Sequence, residues 1–247
     1  RLVLYGFQPE SNEGQIMKTK FLLSILPLSL ASAMAFSQSI DVQVTNLTHG
    51  MNFTPVLVSA HDGNTHLFTA GQAATEALQA MAEGGNTAPL ITASAGTVVN
   101  TNNIANGLLA PSASSPVTAI ETGVNTHLSI VAMMLPTNDG FIGLDGWKIP
   151  TEVGTYTVYL NGYDAGTEVN DEIIDTVNGG ADDGIPGAPG MDAGTGASGV
   201  TDMETNTTVH IHRGNTGDTS LTAGISDVDS RIHRWLNPVA KVVVTVK

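Results

Sequence analysis

The chain has no cysteine, so neither a disulfide framework nor thiol chemistry contributes to it. Aromatic residues make up only 5% of it and charged residues 13%. The core must therefore be aliphatic, and much of the surface must be Asn, Thr, Ser and Gly. Bases are the scarcest group, with nine Lys and Arg against 23 Asp and Glu and a formal net charge of −14. So acidic a surface argues against nucleic acid and anionic lipid as partners, and it attracts cations. Catalytic signatures are also missing. There is no H-E-x-x-H, no G-x-S-x-G and no Gly-rich phosphate loop opening a helix. Ser, His and Asp all occur, but a triad is defined by geometry that spacing cannot supply.

The front of the chain reads as a targeting segment. Met17 opens MKTKFLLSILPLSLASAMAFSQS. Lys18 and Lys20 supply a positive region, Phe21 to Ala31 an apolar one, and Ala33-Met34-Ala35 a small-residue cleavage site. The apolar part is shorter than the ~20 residues of a membrane helix, and Pro27 interrupts it. Residues 17–35 are thus expected to be a cleaved signal, and 1–16 a mis-assigned upstream extension. Residues 36–247 are then one exported domain, long enough to hold a core without staples. Its bases are Lys148, Arg213, Arg231, Arg234, Lys241 and Lys247.

Hydrophobic alternation in SIDVQVTNL (39–47) predicts a half-buried strand. Further strands are predicted at 53–60, 116–122, 126–135, 155–163, 208–213 and 239–246. QAATEALQAMAE (72–83) has the spacing of a helix, stopped by Gly84-Gly85. Residues 95–115 read as loop. The whole predicts an antiparallel β-sandwich with one short helix. Residues 175–207 are rich in Gly, Asp and Pro and nearly free of large apolar groups. They predict a flexible loop inserted between two strands, not a second domain.

Carboxylates concentrate in LNGYDAGTEVNDE (160–172), which carries Asp164, Glu168, Asp171 and Glu172. A strand leads into this stretch, so the acids sit where the chain turns out of the sandwich. Hard cations take carboxylates and free carbonyls at such loops. The stretch is not an EF-hand, because counting from Asp164 puts Gly166 at position 3 and Val169 at position 6. Any calcium site must combine loops. A second acidic loop, LPTNDGFIGLDGW (135–147), offers Asn138, Asp139 and Asp145. The plainer reading, in which these acids cap turns and face water, stays open at this point. Asp171 and Glu172 precede Ile173-Ile174 and predict the acidic start of a short helix.

MMLPTNDGFIGLDG (133–146) and YDAGTE (163–168) together resemble the paired motifs of the spondin domain, the module found in F-spondin and mindin. RWLNPVAKVVV (234–244) resembles the closing strand of that family. AHDG (60–63) and VHIHRG (209–214) are similar to bacterial single-domain members. The resemblance implies a C2-like β-sandwich and a bound calcium at one end of it. Carried over by motif, the implied ligands are Asp139, Asp164 and Glu168. The family motif usually has Asp where Glu168 stands, and an aromatic where Gly140 stands. The cysteines and thrombospondin-type repeats of animal members have no counterpart in this sequence.

His210 and His212 lie two apart on a predicted strand, so both rings project from one face. With His61 or His66 they suggest a Zn²⁺ or Cu²⁺ site as an alternative. Asp164 and Glu168 as paired acids for a carboxylate-dependent hydrolase are a lesser alternative. The leading expectation is a non-catalytic, calcium-binding adhesion or ligand-binding module in the periplasm, on the cell surface or secreted. It is read as a monomer that binds a surface protein or glycan, with no nucleic-acid partner and no membrane insertion after signal cleavage.

Overall fold

The computed structural model describes residue 6 and residues 38–96, 98–175, 184–187, 197–220 and 223–247. The expected signal at 17–35 lies outside the described residues, as does all of 1–16 except Gly6. The chain divides into two compact units, Arg1–Met34 and Ala35–Lys247, and every described helix and strand belongs to the second.

Strand β1 (Ser39–Asn46) alternates half-buried and buried residues, as its sequence predicts. β2 (Asn52–Phe53) and β3 (Leu57–His61) divide the apolar run that reads as a single strand. Helix α1 (Glu76–Gly84) starts where the Thr75 hydroxyl accepts the Leu78 N–H at 3.1 Å. It closes on Gly85 in the left-handed conformation, whose N–H donates to Met81 O. A second helix, α2 (Ala88–Ala93), and a short strand, β4 (Val99–Thr101), add order that composition alone does not signal. Then follow β5 (Thr118–Glu121), β6 (His127–Leu135), β7 (Gly140–Lys148), β8 (Gly154–Asp164), β9 (Ile174–Asp175), β10 (Ile185–Pro186), β11 (His210–Ile211) and β12 (Ala240–Val246).

The main sheet runs β4-β3-β6-β7-β8-β12-β1-β5, with β2 beside β6 and β11 beside β8, and all its pairings are antiparallel. It folds over itself as a sandwich. Val42, Val44, Val242 and Val244 from one half pack against Val58, Ile130, Ala132 and Ile142 from the other. The opposite face of β6 and β7 is also covered. Val131, Met133 and Phe141 pack there against Leu78 and Met81 of α1 and Leu90 of α2. Eight of the nine residues of β6 are therefore buried, which explains its unbroken apolar run. Among the described residues the fold is all-β with two short helices, where the sequence predicts one.

Two segments differ from their sequence reading. Residues 140–148 form β7, a central strand, not an acidic loop. Gly143 misleads the pattern, but a Cβ there would lie 2.6 Å from Phe68 Cζ and 2.8 Å from Tyr163 Cδ2. Within 175–207, the described parts carry more order than composition suggests. Ile185 is fully buried and clusters with Ile174 and Val228. Residues 176–183 and 188–196 of that segment lie outside the described residues.

Gly162 marks a close approach on β8. An added Cβ would lie 2.6 Å from Trp235 Cη2 and 2.8 Å from Cζ3. Gly162→Ala is expected to cost about 1–3 kcal/mol by overpacking, read from urea denaturation.

Candidate functional site

Sheet register brings the two motif acids together. β6 ends at Leu135, and a turn over 136–139 leads into β7. The Thr137 hydroxyl locks that turn by donating to Met134 O at 2.6 Å and accepting Gly140 N–H at 2.9 Å. Gly140 pairs with Asp164 of β8, so Asp139 and Asp164 arrive at the same end of the sandwich. The following loop returns over Asp139, whose Oδ2 accepts the N–H groups of Thr167 (2.8 Å) and Glu168 (3.2 Å).

Negative charge is concentrated there, with His210 Nδ1, 3.7 Å from Asp164 Oδ1, as the nearby base. Asp139 is fully buried, and its Oδ1 accepts no hydrogen bond. Burial and the Asp164 charge push its pKa up from 3.8 to about 6. Both carboxylate oxygens of Glu168 are buried without a hydrogen bond. Burial, then Glu83 and Asp139, push the Glu168 pKa up from 4.5 to about 8. The Asn138 amide has a small opposing influence on Glu168, but its well-formed bond goes to Asp171 Oδ1 at 2.9 Å. Asp164, 1% exposed, is the satisfied member. Its Oδ1 accepts Gly166 N–H at 2.8 Å and its Oδ2 accepts the Asn170 amide at 2.7 Å.

Glu83, Asn138 and Asn170 also belong to this site, and sequence reasoning missed them. Glu83 carried a signal. An acid in the last turn of a helix opposes the helix dipole, and α1 has no base there. Its buried position beside Glu168 adds a further negative charge to the cluster. Among the described residues no Lys or Arg forms an ion pair with Asp139, Asp164 or Glu168. Nor, among them, do three His, Asp or Glu side chains already converge as a finished ligand set.

Asp171 and Glu172 do not open a helix. Residues 169–173 are irregular, and Glu172 has φ +60 and is 5% exposed. Its carboxylate clamps a second loop, accepting Thr216 N–H, Gly217 N–H (2.7 Å) and the Ser226 hydroxyl (2.7 Å). The acid is thus committed to the N–H groups of Thr216 and Gly217 and to Ser226, not to the first turn of a helix.

The histidine trio is not brought together. His61 pairs in register with His127, at the start of β6, whereas His210 pairs with Asp164 at the far end. Eight residues of β6 separate these ends by roughly 26 Å. Both His61 nitrogens are engaged, Nδ1 with Asp62 O (2.5 Å) and Nε2 with Ser129 Oγ (2.7 Å). His212 Nδ1 accepts Gly214 N–H at 2.9 Å, which places the ring hydrogen of the neutral form on Nε2. Burial lowers its pKa to about 4, so the ring is neutral at pH 7. His210 Nδ1 donates to Thr208 O at 2.7 Å, leaving His210 alone of the three with a free nitrogen lone pair. The trio therefore cannot ligate one Zn²⁺ or Cu²⁺ ion as arranged. Of the pair suggested for hydrolysis, Asp164 is buried with each oxygen accepting one hydrogen bond, and Glu168 lies on the loop that follows it.

Among the described residues no helix is long and apolar enough to cross a membrane. No curated protein matches the chain. The Spondin_N family model matches residues 43–172, from β1 through the loop that carries Asp164, Glu168 and Glu172. That match covers more than half of the sequence and both acidic motifs, and the chain belongs to the Spondin_N family.

Proposed function

We propose that the loops at 136–139 and 164–170 hold one Ca²⁺, and that the domain is a non-catalytic, calcium-dependent adhesion or ligand-binding module. The supporting observation is the buried, unpartnered Oδ1 of Asp139 beside two further carboxylates, with no Lys or Arg paired to them among the described residues and only His210, 3.7 Å from Asp164, as a weak base nearby. Several hard oxygen donors carrying concentrated negative charge suit Ca²⁺ better than softer ions. Asp139 and Asp164 would be its fixed ligands and Glu168 the adjustable one. Carbonyl oxygens and water complete such shells, and two or three carboxylates place the affinity near ~10⁻⁴–10⁻³ M. That range suits the calcium levels outside cells, in keeping with an exported module. Family membership adds support for a module that binds and does not catalyse.

Protons must compete with the ion. In the metal-free domain the Glu168 carboxyl binds its proton more tightly when folded, with a pKa near 8 against an ordinary 4.5. Asp139 does the same, near 6 against 3.8. Metal-free stability from these groups is therefore full below their ordinary values and is lost as pH rises to about 8. Calcium affinity should climb over the same window. Titrations at pH 5 and pH 8 test this, and equal affinities at the two values would contradict it.

A further inference from the structure

A second feature stands apart from the acidic loops. Arg213, Asn215, Arg234, Trp235 and Leu236 line a surface hollow of about 460 Å³. Pockets of this size hold small organic molecules. Its chemistry is opposite to that of the rest of the molecule. The chain has a net charge of −14, yet two of its few arginines flank this one hollow. Both are exposed, and among the described residues neither forms an ion pair with an Asp or Glu. Arg231, close by in sequence, is by contrast held by Asp229 at 2.6 Å.

Trp235 Nε1 is buried without a hydrogen bond. The His212 ring packs against Trp235 with centroids 5.0 Å apart, and its Nε2, which carries the hydrogen, is also buried and unmatched. Asn215 spends an amide N–H on Pro136 O at 2.7 Å. Leu236 is 85% exposed, the most exposed large apolar residue described. Two guanidinium groups beside an uncovered leucine specify an acceptor-rich head joined to an apolar body.

We propose that this hollow binds a small organic anion, its carboxylate or similar oxyanion head on Arg213 and Arg234 and its apolar body against Leu236. The site is independent of the calcium reading and shares no residue with it.

Hexanoate is a suitable probe, with acetate and sulfate as heads lacking a body and hexan-1-ol as a body lacking charge. The chain has two tryptophans, Trp147 and Trp235. Trp147→Phe therefore assigns the two indole N–H resonances and leaves Trp235 as reporter. Millimolar hexanoate is expected to move the Trp235 indole resonance and leave that of Trp147 in place. Arg213→Gln and Arg234→Gln should each weaken binding about tenfold or more, through loss of charge-assisted hydrogen bonds. Acetate, sulfate and hexanol should all bind more weakly than hexanoate. The proposal is overturned if the Trp235 resonance stays still, if the arginine variants respond like the parent, or if sulfate binds as tightly as hexanoate. Both arginines are exposed, so their substitution leaves the fold intact, and unchanged melting curves would verify that.

Discussion

Glu172→Ala is expected to destabilise the domain by about 2–4 kcal/mol, a large share of the stability of a single domain. The Glu172 carboxylate accepts three hydrogen bonds, two from backbone N–H groups of the 215–217 loop and one from Ser226. Alanine would leave Ser226, 2% exposed, without that acceptor in a nearly dry site. The backbone contributes as well. A non-glycine residue at φ +60 is held there by its surroundings, and here the side-chain clamp does the holding. Glu172→Gln keeps one carbonyl acceptor and should lose about half as much. The same residue reaches the acidic site, because its N–H donates to Asn138 Oδ1 at 3.1 Å. Alanine keeps that N–H, so calcium affinity should fall only as far as loss of the side-chain clamp lets the backbone at 172 shift. Chemical denaturation and calcium titration on one preparation would read both effects.

Glu168→Gln should act in opposite directions on the two states of the domain. Without calcium at pH 8 it removes a buried carboxylate pressed by Glu83 and Asp139, so the metal-free domain should become more stable. With calcium it removes a ligand, and affinity should drop about tenfold or more, at least as much as when a supporting residue is lost. A turn-capping carboxylate predicts no such reversal. Melting temperatures of the parent and the variant, each with chelator and with millimolar Ca²⁺, separate the two. A variant less stable than the parent under both conditions would show that Glu168 serves only the fold.

The strands that alternate cleanly were legible in the sequence, because β1, β8 and β12 each bury one face and wet the other. β7 was not, since its glycines read as loop while serving aromatic packing across the sheet. Asp139 and Asp164 were legible as motif acids, but their union depends on the Gly140–Asp164 register, which no local pattern reveals. Glu83 lies more than fifty residues upstream and joins the site only because α1 packs on the outer face of β6 and β7. The histidines show the reverse error. H-x-H spacing is real, but hydrogen bonding occupies the nitrogen of His212 that a metal would need. The hollow between Arg213 and Arg234 carries no motif at all, because the fold alone brings its two segments together.

Calorimetric titration of the chelator-stripped domain with Ca²⁺ at neutral pH tests the central claim most directly. The account predicts one site with Kd near ~10⁻⁴–10⁻³ M. It also predicts that the heat disappears in a variant carrying Asp139→Asn and Asp164→Asn while that variant still folds. In saturating calcium the parent should gain about 2–3 kcal/mol, which raises its melting temperature by several degrees. No heat, together with an unchanged melting temperature, would contradict the account.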